Sequence, residues 1–85
     1  MKAEYKIVIK KSAVKEIKTL PDIYLKKVLN KISLLAKEPR PAVCKKLSQQ
    51  NKYRIGVSVY KIFYLIEDYK LIVTIVKIAH RKNAC

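Results

Sequence analysis

At 85 residues, 51% of them hydrophobic, the chain is long enough for one small domain around one core, residues 1–85, and too apolar for a disordered polar tail. Its 20 Lys and Arg against 6 Asp and Glu give a formal net charge of +14. Solubility asks for a net charge of only about 2–8 in a small domain, so the excess points to an anionic partner.

In chain order, Glu4 to Ile9 is a short β-prone run. Ser12 is placed to cap a helix that runs to Leu20, with Ala13, Val14, Ile17 and Leu20 as its apolar stripe. Pro21 ends that helix, and Asp22 is a natural cap for the next, about Ile23 to Lys37. Leu25, Val28, Leu29, Ile32, Leu35 and Ala36 follow the i, i+3, i+4 spacing of one helical face, while Leu34 falls outside it. Glu38-Pro39-Arg40-Pro41 stops the helix, and a basic loop from Cys44 to Lys52 follows. Its lysines Lys45, Lys46 and Lys52 read as phosphate-steering charges that carry no sequence preference.

Tyr53 to Arg81 then contains three runs rich in Ile, Val, Tyr and Phe, broken near Gly56–Ser58 and at Glu67-Asp68, which reads as an antiparallel meander. Strand alternation places Tyr53, Ile55, Val57, Tyr60, Ile62, Tyr64, Ile66, Ile72, Thr74, Val76 and Ile78 on one face. The other receives Arg54, Gly56, Lys61, Phe63, Leu65, Leu71, Val73, Ile75, Lys77, Ala79 and Arg81. The expected fold is α+β, ordered β-α-α-β-β-β, with both helices on the apolar face of an antiparallel-rich sheet. That leaves Arg54, Lys61, Lys77 and Arg81 on an open face.

Cys44 and Cys85 form no disulfide framework. With a single histidine there is no zinc spacing, so no metal and no cofactor is expected. The opening Met1-Lys2-Ala3-Glu4-Tyr5 has no apolar signal-peptide region, and no run approaches the ~20 apolar residues of a membrane span. A reduced, cytoplasmic setting without membrane contact is expected.

Tyr53-Arg54-Ile55, Tyr60-Lys61-Ile62-Phe63-Tyr64 and His80-Arg81, behind a strand and two helices, resemble the RelE/ParE superfamily of bacterial toxins. The resemblance covers nearly the whole chain by element order and implies a RelE-like microbial ribonuclease-type fold. It also implies a toxin of a type II toxin–antitoxin pair, with an acidic cognate antitoxin encoded nearby. Members of the RelE branch cut messenger RNA in the ribosomal A site; those of the ParE branch inhibit DNA gyrase and have no nuclease activity. A basic RNA- or DNA-binding module with neither activity is the third reading, and the charge suits all three.

Metal-free RNA cleavage needs a base for the 2′-OH, cations for the developing phosphorane and an acid for the 5′-oxygen. By position, Lys61 corresponds to the family's second-strand cation and Arg81 to its C-terminal catalytic arginine. Arg54 stands where some members have a lysine assigned to the base system, a role that arginine, always protonated, cannot fill. His80 is the side chain whose ordinary pKa, about 6.5, suits proton transfer near neutrality. The catalytic candidates are therefore Arg81, Lys61, Arg54 and His80. Phe63 is a candidate stacking surface for a base, and Lys45, Lys46, Lys52, Lys77 and Lys82 are candidate RNA contacts. Two departures weaken the nuclease reading: Gly56 replaces a second cation, and Cys85 stands where the family pattern has a tyrosine.

Overall fold

The computed structural model describes residues 4–47 and 51–82. Seven elements follow one another: β1 (Lys6–Ile9), α1 (Lys11–Lys18), α2 (Asp22–Lys37), β2 (Lys45–Lys46), β3 (Lys52–Val57), β4 (Tyr60–Glu67) and β5 (Ile72–His80). The α+β architecture is the expected one, with an addition. Part of the segment read as a basic loop is the two-residue strand β2, whose Lys45 and Lys46 pair with Arg54 and Tyr53. The five strands lie in the order β1-β5-β4-β3-β2. β1 runs parallel to β5, and every other pair is antiparallel.

Two helix starts differ from expectation. α1 begins at Lys11, with Lys10 in the capping position and no side-chain cap, so Ser12 lies inside the first turn. The cause is tertiary: the Lys10 N–H donates to Ile75 O at 3.0 Å, which holds extended backbone up to the residue where the helix starts. α2 is preceded by Pro21 and includes Asp22 as its first residue. Asp22 does not cap; it places a carboxylate in the first turn, where the helix dipole favours it.

The core joins Ala13, Ile17, Val28, Ile32 and Leu35 of the helices to Tyr53, Ile55, Val57, Ile62, Tyr64, Ile66, Val73, Ile75 and Ile78 of the sheet. Tyr53 and Tyr64 are buried and stacked at 5.8 Å, and Tyr60 packs half-buried at the margin. Leu29 departs from its assigned stripe and is exposed, as is Leu34.

The larger correction concerns β5. Val73 and Ile75, placed by alternation on the open face, are both fully buried, whereas Ile72, Thr74 and Val76 are only half-buried. The register explains this. Tyr64 pairs with Ile75 but Phe63 pairs with Lys77, so Val76 is an extra residue, a β-bulge. The bulge reverses the alternation, and β5 contributes Val73 and Ile75 before it and Ile78 after it to the same core. From Ile72 to Val76 the residues are all β-branched, so no hydrophobic alternation in the sequence marks the slip.

Candidate nucleic-acid interface

The pairing registers assemble the open face row by row. One row crosses four strands: Lys45 of β2 lies opposite Arg54 of β3, Arg54 opposite Phe63 of β4, and Phe63 opposite Lys77 of β5. At about 4.8 Å per strand the row spans roughly 14 Å. The next row, roughly 7 Å along the strands, is Gly56–Lys61–Ala79. Beyond it the Arg81 N–H donates to Val59 O at 2.7 Å, which carries the ladder one residue past β5 and continues the alternation of Lys77 and Ala79. In the other direction lies the row Lys52–Leu65–Thr74–Val8, with one cation at its β3 end.

Arg54, Lys61, Phe63, Lys77 and Lys45 are thus brought together, with Arg81 at the end of the same face. Lys52 belongs to the adjoining row and opens β3 rather than lying in a loop. Lys46, paired with Tyr53, points to the helix side and does not join the others. Lys82 is exposed beyond β5. The Lys77 ammonium lies 6.0 Å from the centroid of the Phe63 ring, so a base stacking on that ring meets a cation already there.

His80 is placed differently from the other catalytic candidates. It pairs with Tyr60 and packs edge-on against that ring at 5.4 Å; Tyr60 in turn packs against Tyr24 of α2 at 5.4 Å. This sets the imidazole on the helix side of the sheet. Its Nδ1 accepts the Lys82 N–H at 3.2 Å, which leaves the ring's second nitrogen, Nε2, as the donor in the neutral form.

Charge on the open face is one-sided. Among the described residues the salt bridges are Arg40–Asp68 at 2.7 Å and Lys70–Glu67 at 3.6 Å. Glu67 shares the face but lies six residues along β4 from Lys61, roughly 20 Å away. Gly56 keeps the row low beside Lys61. A Cβ built there meets nothing within 4 Å, and its φ is not positive, so neither space nor backbone conformation demands glycine. Among the described residues no group of three or more His, Cys, Asp or Glu is arranged to hold a metal, and no helix is long and apolar enough to cross a membrane. Cys85 lies outside the described residues.

A polar cluster that sequence reasoning missed closes the opposite end of the sheet. Arg40 grips Asp68 with two bonds, of 2.9 and 2.7 Å, donates through Nε to the Tyr53 hydroxyl at 2.9 Å and lies over the Tyr53 ring. The Tyr5 hydroxyl donates to the same carboxylate at 2.7 Å. Hydrogen bonds from Arg40 and then Tyr5 lower the Asp68 pKa to about 2. Tyr64 donates to Pro39 O at 2.8 Å, and burial, then Cys44, push its phenol well above the usual tyrosine range. The cluster secures the turn at Leu71, which has φ 56°, uncommon for so bulky a residue. The available signal was Arg40 itself, an arginine held between Pro39 and Pro41.

The family model of the ParE toxin of type II toxin–antitoxin systems (parDE) matches residues 7–84. The chain is similar in structure to the archaeal RelE–RelB complex from Pyrococcus horikoshii, with TM-score 0.86, 25% identity, and 95% of this chain and 99% of that one covered. It is also similar to the RelBE2 toxin–antitoxin complex of Mycobacterium tuberculosis, with TM-score 0.80, 25% identity and coverage of 92% and 99%. The isolated E. coli RelE toxin shares the fold at TM-score 0.80 and 22% identity, with 89% and 83% covered. No curated protein sequence matches. With its family model spanning nearly the whole chain and its fold shared with RelE toxins, the chain belongs to the ParE toxin family of type II toxin–antitoxin systems, within the RelE/ParE superfamily.

Proposed function

We propose that this toxin is a metal-independent endoribonuclease that cleaves messenger RNA on the ribosome and is neutralised by an acidic cognate antitoxin encoded beside it. The observation that carries this reading is the row Lys45–Arg54–Phe63–Lys77 above Lys61, on the sheet face the helices leave open. In such a reaction the 2′-oxygen attacks the adjacent phosphorus and the P–O5′ bond breaks. The products are a 2′,3′-cyclic phosphate and a free 5′-hydroxyl. Arg54 can hold two phosphate oxygens through its planar fork, and Lys61 sits one row away to meet the growing phosphorane charge. Arg81 extends the clamp at the end of β5. His80 lies on the helix side of the sheet, out of reach of the clamp, so the proton leaving the 2′-OH and the proton reaching the 5′-oxygen are carried by water. The antitoxin reading draws on the RelE–RelB and RelBE2 complexes, to which the chain is similar.

A second reading, a ParE-type inhibitor of DNA gyrase without nuclease activity, draws support from His80 facing the helices and from Gly56 leaving no second cation beside Lys61. Primer extension after induction in bacteria separates the two. New mRNA ends within translated codons are expected, lost in Arg81→Ala and reduced about 10²–10³-fold in Lys61→Ala, with both variants folded. Intact mRNA together with gyrase-dependent DNA breaks would replace the first reading by the second.

A further inference from the structure

The bulge at Val76 places Lys77 on the open face. Without the extra residue, the alternation that buries Val73 and Ile75 would carry Lys77 and Arg81 to the helix side. The post-bulge segment has lost its neighbour on one edge. β1 makes its last bond to β5 between Lys10 and Ile75, and the chain then turns away into α1. Among the described residues no strand pairs with β5 on that side past Ile75, and an unpaired, partly buried N–H is costly. One is met from α1: the Ile78 N–H donates to Glu16 Oε1 at 3.2 Å, across 62 residues of sequence. A carboxylate accepting a backbone N–H makes one of the stronger hydrogen bonds available. Ile78 follows Lys77 directly and lies three residues before Arg81.

We infer that Glu16 is a positioning residue for the cationic face. Its carboxylate fixes the post-bulge register of β5 and thereby keeps Lys77, and Arg81 beyond it, turned toward the anionic substrate; the functional half of this inference rests on the proposed nucleic-acid role of that face. Glu16 itself is on α1, on the other side of the sheet from the substrate, and acts through the Ile78 amide alone. The arrangement also gives one of the chain's 6 acids a place in a basic protein without lowering the potential of the open face.

The test follows amide hydrogen exchange at Ile78 together with binding of a labelled oligouridine. Glu16→Ala is expected to speed Ile78 exchange at least ~10-fold while leaving Val73 and Ile75 unchanged, and to weaken oligouridine binding about 3–10-fold. Glu16→Gln, which keeps an acceptor oxygen, restores both. In a Lys77→Ala/Arg81→Ala background, Glu16→Ala weakens binding no further. Should Glu16→Ala fail to fold, Glu16→Asp, which keeps the charge but shortens the reach, replaces it. Unchanged Ile78 exchange, equal slowing or speeding at Val73 and Ile75, or a binding defect that persists in the double-variant background would each overturn the inference. Absence of mRNA cleavage by the wild-type protein would instead defeat the proposed reaction, leaving the Ile78 exchange result to stand by itself.

Discussion

Arg40 and Arg54 lie on opposite sides of the same sheet beside Tyr53, and their surroundings differ completely. Arg40, on the helix side, is held by the Asp68 carboxylate, the Tyr53 hydroxyl and the Tyr53 ring. Arg54, on the open side, has Lys45 and Phe63 as cross-strand neighbours, and its row contains no acid. One face spends its arginine on holding a turn in place. The other carries Lys45, Arg54, Lys61 and Lys77, none of which forms a salt bridge among the described residues. Like charges placed together repel and weaken the fold, so the open face makes sense as a surface completed by an anionic partner.

The contrast implies that substitutions on the two faces separate stability from activity. On the covered face Ile75→Ala is expected to cost about 2–5 kcal/mol, since it removes a fully buried side chain from a packed core. Urea denaturation measures this, and a change below 0.5 kcal/mol would mean that the corrected β5 register is wrong. The Arg40–Asp68 pair comes next. Both partners are part-exposed, so solvent screening leaves about 1 kcal/mol or less. Because the folded-state pKa of Asp68 is lowered from 3.8 to about 2, the contribution is fully present above pH 3.8 and is lost as pH falls through about 2. The stability gap between wild type and Asp68→Asn, measured at pH 5.5 and again toward pH 2, should therefore close. A gap that widened on acidification would reverse the assigned role.

The smallest effect on stability is expected at Gly56. Gly56→Lys meets open space and should change stability by no more than about 0.5–1 kcal/mol, in the favourable direction, because a strand glycine is entropically costly. It would add a cation beside Lys61 and steepen the salt dependence of single-stranded RNA binding by about 0.7 in log–log slope. An unchanged slope would place the bound strand away from the Gly56–Lys61 row.

The limits of the sequence reading can be seen residue by residue. Tyr53, Ile55, Ile62, Tyr64 and Ile66 could be assigned to the core because β3 alternates apolar with polar or small residues at period two, and Lys61 and Glu67 mark the outer face at either end of β4. In β5 the assignment of Val73 and Ile75 failed because Ile72 to Val76 contains no strongly polar residue to mark a face. Lys45 and Lys46 looked like loop because a two-residue strand carries no periodic signal. His80 was drawn toward the cations by its neighbour Arg81, although strand alternation places the two on opposite sides.

Local chemistry along the chain was enough to determine the layered α+β fold, the basic character of one surface and the presence of Arg54, Lys61 and Phe63 on a common face. These follow from side-chain polarity at fixed period, which each strand encodes by itself. Tertiary structure alone decided that Val73 and Ile75 enter the core while Lys77 stays on the open face, that Arg40 clasps Asp68 and that Glu16 receives the Ile78 amide. Each depends on a partner distant in sequence or on a single extra residue in a ladder. A bulge reverses the direction of every side chain after it while leaving the composition of the strand unchanged.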